Sequence, residues 1–318
     1  MNRRSFIGCV GASMALPLTG GSATAGEGEL PASTGPAQTD EDALKVRFLG
    51  SGSACWEREP RTSKVFRRYS SVLIDGRFLI DYTWMAADMV PEGCRPKAVI
   101  YTHSHPDHYD PKAAVTLGVE HVFLHRSWIA DARRDFERAV AATGGRMPTL
   151  HPLEIGARFR LGAYEILPLP ANHYTGKPYE HALIYKVTKL CKGGAVRLLY
   201  ATDTSGIMSA AFFIGCSSKA PVTAAIMEAT GQPGRKFGGL NISHSTADVV
   251  RDIFTTFLKP GPGKCYTPAA PDQKVYLTHI GYYEWGQNTY EDALPPWMAV
   301  ARDGLEVEFL PPTTGKVK

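Results

Sequence analysis

After residue 44 the chain reads as short apolar runs bounded by glycine, proline and small polar residues, the punctuation expected between strands. Val46-Arg47-Phe48-Leu49 predicts a strand that ends in the loop Gly50-Ser51-Gly52-Ser53. Apolar runs at 70–75 and 78–81 around Gly76 predict a hairpin. Ala98-Val99-Ile100-Tyr101 is wholly apolar and predicts a buried strand. Further strands are predicted at 158–161, 165–169, 182–187, 196–200, 222–227, 275–277 and 305–309. Two stretches follow the helical period instead. Within 126–143, Trp128, Ile129, Ala132, Phe136, Ala139 and Val140 share one face; within 247–258, Val249, Val250, Ile253, Phe254, Phe257 and Leu258 do. Ser245 and Asp248 form a capping-box pattern ahead of the second helix. Strands outnumber helices and are interspersed with them, which predicts one layered α/β domain over 44–318.

The first 43 residues are patterned differently. Arg3-Arg4-Ser5-Phe6 precedes an apolar run from Ile7 to Leu18 that is too short to span a bilayer, and Ala23-Thr24-Ala25 is a small-x-small cleavage pattern. The paired arginines followed by Phe resemble a bacterial twin-arginine signal, which implies export of a folded protein, to the periplasm. Residues 26–43 are rich in Gly, Pro, Ser, Thr and acids and read as a flexible linker.

Composition narrows the function classes. The 318 residues are 44% hydrophobic and 21% charged, with a formal net charge of +4, ordinary values for a globular protein. Near-neutrality gives no electrostatic case for a nucleic-acid partner. The six cysteines, at 9, 55, 94, 191, 216 and 265, contain no CxxC pair, so neither a zinc ribbon nor a disulfide framework is indicated.

The chemistry gathers at strand ends. His103-Ser104-His105-Pro106-Asp107-His108 directly follows the strand at 98–101, where one loop can turn all its imidazoles and its carboxylate toward a single point. These are ligand types that zinc, iron and manganese accept. His173, Asp203 and His279 each follow a further strand. Any one of them alone is weak; four strands delivering such groups to one sheet edge are not.

With these motifs the sequence resembles the metallo-β-lactamase superfamily over roughly 44–310. The resemblance implies a four-layer αβ/βα sandwich with two divalent ions, zinc first, manganese or iron as alternatives. It implies one ion on His103, His105 and His173, a second on Asp107, His108 and His279, and Asp203 shared between them. Met227-Glu228-Ala229-Thr230, His244-Ser245-Thr246 and Leu277-Thr278-His279-Ile280 resemble motifs of the ribonuclease Z branch. Asp203-Thr204-Ser205-Gly206 and Asp303-Gly304-Leu305-Glu306 are similar to motifs of cyclic-phosphate phosphodiesterases. These branches imply His244 as general acid with Glu228 orienting it; Asp107 counts in this catalytic set as well as among the ligands. His121, His125, His151 and His181 match no motif position and read as structural or surface residues.

The likeness has departures. Only 29 residues lie between His173 and Asp203, too few for a ribonuclease Z tRNA-gripping arm. The expected substrate is therefore a small molecule, a cyclic phosphodiester among the candidates. Two metal ions would lower the pKa of a held water for in-line attack on phosphorus, and His244 would protonate the leaving alkoxide. A lactone or acyl metallohydrolase on the same fold is the alternative, and a non-catalytic metal-binding protein a third. The basic segment 55–69, with Arg58, Arg61, Lys64, Arg67 and Arg68, is read either as an anion-greeting loop or as a solvated one. No membrane span is expected in the mature chain; a homodimer is compatible with the sequence, which does not fix the oligomeric state.

Overall fold

Six strands come first: β1 (Leu44–Gly50), β2 (Ser71–Ile74), β3 (Phe78–Ile80), β4 (Ala98–Ile100), β5 (His121–His125) and β6 (Thr149–Leu153). The second sheet follows as β7 (Phe159–Leu161), β8 (Tyr164–Pro170), β9 (Leu183–Cys191), β10 (Gly194–Ala201), β11 (Ala224–Glu228), β12 (Val275–Thr278) and β13 (Met298–Val300). β14 (Glu306–Phe309) returns to the first sheet, beside β1, so that each sheet has seven strands among the described residues. The structure is a computed structural model that describes residues 41–234, 243–258, 260, 264–286, 288 and 290–312. The signal read at 1–25, and the linker up to residue 40, lie outside the described residues.

The period-2 alternation of the strands builds the layers. One set of side chains, including Val46, Phe48, Ile74 and Ile100, meets Ile166, Tyr185, Leu198 and Ile226 between the two sheets. The alternate set on the first sheet, including Leu73, Leu79 and Val99, packs under α1 (Pro111–Leu117) and α2 (Ile129–Thr143) through Val115 and Phe136. On the second sheet, Leu169, Ile184 and Leu199 pack with Ala211 of α3 (Ser209–Gly215) and Val250 of α4 (Ala247–Asp252). Each large side chain so buried contributes about 1.5–3 kcal/mol. The expected αβ/βα sandwich is thus the observed one.

The middle strands explain where the chemistry sits. β3, β4, β5 and β6 are parallel to one another, as are β10, β11, β12 and β13. Their carboxyl ends open on one edge, where open α/β sheets place ligands.

Two local expectations are corrected. The cap of α4 is Thr246, whose side chain accepts from Val249 N, rather than Ser245. The Ser245 hydroxyl instead accepts from Gly206 N and donates to Thr204 O, tying two loops of the site. After Asp252 the helix widens into a π turn, Ile253–Phe257; the side chain of Phe257 is outside the described residues. Strands β5, β6 and β13 carried no sequence expectation.

Candidate metal centre

Three strand ends share an unusual backbone. Asp81 after β3, Asp203 after β10 and His279 after β12 all have left-handed φ, at 54°, 47° and 53°. For a residue with a Cβ this conformation costs about 1–2 kcal/mol, and it persists where the surroundings enforce it. Here it turns a carboxylate or an imidazole sharply off the sheet edge.

The sequence-predicted residues converge. His103, His105, His173 and Asp203 bring one ligand atom each to within 4.8 Å of one another, and so do Asp107, His108 and His279. His173 Nε2 lies 3.1 Å from His105 Nδ1 and 3.5 Å from Asp203 Oδ2, and His103 Nε2 lies 3.4 Å from the same oxygen. The other Asp203 oxygen, Oδ1, lies 2.9 Å from His279 Nε2 and 3.2 Å from His108 Nε2. Asp107 Oδ2 lies 3.4 Å from His279 Nε2 and 3.6 Å from His108 Nε2. Asp203 thus faces one set with each oxygen.

This cage fits metal ions better than it fits itself. Buried His103 Nε2, His108 Nε2 and Asp203 Oδ1 have no aligned hydrogen-bond partner, despite the short distances between them. Unpaired buried polar atoms are costly, and three of them within these adjoining ligand sets mark a place for cations. The charges agree. Burial opposes ionisation of Asp203, yet the His108 and His279 rings outweigh it and hold the carboxyl well below its ordinary range. Burial likewise opposes charge on His108 and His279, but the neighbouring carboxylates drive both well above the ordinary imidazole value. His103 goes the other way, pushed well down by burial and by His108.

Sequence reasoning missed the groups that aim these ligands. Asp81 Oδ2 is 2.7 Å from His108 Nδ1, and the same carboxylate accepts from Thr102 N at 2.8 Å and from Thr102 Oγ1 at 2.9 Å. Thr102 Oγ1 in turn is 3.0 Å from His103 Nδ1. Burial pushes the Asp81 carboxyl up, partly offset by these donors. Glu180 accepts from Ser104 N at 2.7 Å and Ser104 Oγ at 2.6 Å, fixing the backbone between the first two histidines. Outer partners of this kind fix ring orientation and the nitrogen that faces the metal. The one signal for Asp81 was its place as the acid ending an apolar run.

Beside the cage, fully buried Glu228 receives four donors. Its Oε1 accepts from Thr204 N at 2.9 Å and Ser245 N at 2.7 Å; its Oε2 is 2.9 Å from His244 Nδ1 and 3.2 Å from Thr230 Oγ1. Glu228 also falls within a cluster with Asp203, His244 and His279, but its oxygens are already engaged in these bonds. Burial lowers the tendency of His244 to charge, but Glu228 outweighs it and raises the ring above its ordinary pKa. His244 stacks on His279, with ring centroids 5.3 Å apart at 15°, and lies 5.1 Å from the His173 ring.

The basic segment is structural where its partners are seen. Arg67 donates to Ser51 Oγ and Ala301 O, and burial pushes its pKa down to about 10. Arg68 pairs with Asp88 and Asp303, Arg61 with Asp88, and Arg58 with Tyr283. Asp303 also accepts from Ser51 Oγ at 2.8 Å, so the Asp303-Gly304 motif ties down the loop after β1. His121 and His151 pair at 3.1 Å, and His125 accepts from Ser127 N, as structural residues would. Cys55, Cys94, Cys191, Cys216 and Cys265 are all free. No helix among the described residues is long and apolar enough to cross a membrane.

Comparison with known proteins agrees with this geometry. The β-lactamase superfamily domain matches residues 81–248, more than half of the chain. The metallo-β-lactamase fold protein YhfI from Bacillus subtilis superposes with a TM-score of 0.57 at 17% identity, over 84% of this chain and 100% of that one. Zn2+-bound PqqB from Methylobacterium extorquens gives 0.56 at 15%, over 83% and 99%. Unliganded yeast PDE1 gives 0.56 at 10%, over 84% and 99%. At these identities the likeness is one of fold. No protein of curated function matches the sequence significantly. Fold, histidine–aspartate cage and sequence match converge: the chain belongs to the β-lactamase superfamily and has the metallo-β-lactamase fold.

Proposed function

We propose that this metal-dependent hydrolase is a phosphodiesterase for small phosphodiesters, cyclic ones included. The observation that carries the reading is the Glu228–His244 pair, 2.9 Å apart and next to the ligand cage. In this assignment His103, His105 and His173 would hold one divalent ion, Asp107, His108 and His279 would hold the other, and Asp203 would serve both. Asp107 belongs to the catalytic set as well. Zinc suits the donors best, with manganese or iron as alternatives.

Two such ions would supply Lewis-acid chemistry when bound, acidifying a water and offsetting charge on the phosphoryl oxygens. The protein supplies the rest. Glu228 keeps a proton on His244 Nδ1 and favours the charged ring, so Nε2 carries the proton that the leaving alkoxide needs. A poor leaving group, such as a sugar hydroxyl, depends on that proton; an acyl substrate depends on it less. Export through a twin-arginine signal within residues 1–25, to the periplasm, is part of the same proposal.

The test is an assay of the zinc-loaded chain on bis(p-nitrophenyl) phosphate and on a chromogenic lactone. Turnover of the phosphodiester is expected. Turnover of the lactone alone would replace this reading with an acyl hydrolase.

A further inference from the structure

Thr230 stands where the ligand cage meets the His244–Glu228 pair. Its Oγ1 is 2.9 Å from His279 Nδ1, 3.2 Å from Glu228 Oε2, 3.2 Å from His279 O and 3.4 Å from His244 Nδ1. A hydroxyl has one proton to give and two lone pairs to receive with. Counting protons gives a direction to each contact. His279 turns Nε2 toward Asp203 and Asp107, and a ring that offers this nitrogen to an ion keeps its proton on Nδ1. That proton faces Thr230 Oγ1 at 2.9 Å and Glu228 Oε2 only at 3.5 Å, so the nearer hydroxyl receives it. His244 Nδ1 donates to Glu228, so it does not accept from the threonine. Of the two remaining acceptors, both at 3.2 Å, the carboxylate is the stronger, and the Thr230 proton goes to Glu228 Oε2.

The first sheet carries the same device. There His103 Nδ1 meets Thr102 Oγ1, Thr102 meets Asp81, and Asp81 meets His108 Nδ1. Each sheet edge thus holds two histidines through one threonine and one carboxylate. The position of Thr230 is further fixed by Gly281, which follows β12 by three residues: a Cβ there would meet Thr230 O at 2.4 Å.

We propose that Thr230 is a positioning residue, whose hydroxyl sets the His279 ring with Nε2 toward the ions and couples that ring to Glu228. The proposal rests on the dimetal reading above. Its test compares the full wild-type chain with Thr230→Val, which removes the hydroxyl at nearly constant volume, and Thr230→Ser, which keeps it. Zinc affinity is read by competition with a chromogenic chelator, and the His279 Nδ1–H proton by long-range 1H–15N correlation. Thr230→Val is expected to keep the first ion, bind the second about 10–100-fold more weakly, and lose the His279 Nδ1–H resonance. Thr230→Ser is expected to stay close to wild type in both. Wild-type affinity and an unchanged resonance in Thr230→Val would overturn the proposal. So would equal losses in the two variants, because the methyl rather than the hydroxyl would then be at work. A wild-type chain that takes up no zinc would sink the dimetal reading instead, and the resonance, which needs no metal, would still decide the role of Thr230.

Discussion

Asp81 Oδ2 lies 2.7 Å from His108 Nδ1, and neither side chain has any exposed surface. The contact spans the end of one parallel strand and the loop after its neighbour. Through Thr102 the same carboxylate also reaches His103, so one acid aims a ligand candidate of each proposed ion.

Asp81→Asn follows from that arrangement. Both carboxylate oxygens receive donors, Thr102 N on Oδ1 and His108 Nδ1 on Oδ2. Either orientation of an amide therefore sets N–H against N–H. The variant is expected to fold and to hold metal about 10–100-fold more weakly. Dialysis against a metal buffer followed by elemental analysis checks this; undiminished retention would show that Asp81 is only a packing group.

Asp203→Ala is expected to differ in kind. Because each Asp203 oxygen faces a separate set of ligands, its loss weakens both positions together. The wild type is expected to carry about two zinc-class ions, and chelation to abolish activity. Purified protein with only traces of transition metal would refute the dimetal assignment, and loss of one ion alone in Asp203→Ala would refute the sharing.

A stability prediction lies at the opposite end of the sheets. Lys189, with no side-chain exposure, donates to Asp75 at 2.9 Å, to Ala43 O at 2.7 Å and to Glu41, while Tyr164 donates to Asp75 at 2.6 Å. Lys189→Met leaves the Asp75 charge buried without its cation. Loss of one member of a buried pair costs about 3–5 kcal/mol, and the half-exposed Glu41 argues for the lower end. Burial works to lower the lysine pKa, but Asp75 and Glu41 outweigh it and raise it. The lysine's part of the stabilisation is therefore complete below about pH 10 and lost as pH rises through the folded value, while Glu41, held below its ordinary range by Lys189, loses its part as pH falls. Denaturant unfolding should show the loss with metal content unchanged; unchanged stability would mean that the network is solvated.

The cage was legible in the sequence because its ligands follow apolar strands, and parallel strands gather their carboxyl ends. His103, His105, Asp107, His108, His173, Asp203 and His279 needed only that rule and a spacing. Asp81, Thr102 and Thr230 were illegible because hydrogen-bond partners of ligands obey no spacing. β6 was hidden by Pro152. Ser245 satisfied a capping pattern, but its hydroxyl and N–H are engaged by the site, so the cap moved to Thr246. Local pattern lost there to tertiary contacts.

Export has its own test. A reporter fused behind residues 1–30 is expected outside the cytoplasm, and Arg3→Lys with Arg4→Lys is expected to retain it inside. Export unaffected by the double change would point to the general secretory route.

His244 separates a phosphodiesterase from other members of the superfamily. The proposed ligand sets do not include it, so His244→Ala should keep both ions. It should lower kcat by roughly 10²–10⁴ where the leaving group is an alkyl or sugar alkoxide, the range for losing a positioned general acid. For p-nitrophenolate, which departs without a proton, the loss should nearly vanish. Glu228→Gln should show the same pattern more weakly. Its Oε1 can still accept from Thr204 N and Ser245 N, so the loops stay tied, while its amide N–H opposes the Nδ1 proton of His244. Without the carboxylate charge, burial is no longer outweighed, the pKa of His244 falls, and the basic limb of the pH–rate profile moves to lower pH. An equal loss on both leaving groups would rule out the general-acid role, and loss of metal in His244→Ala would make His244 a ligand instead.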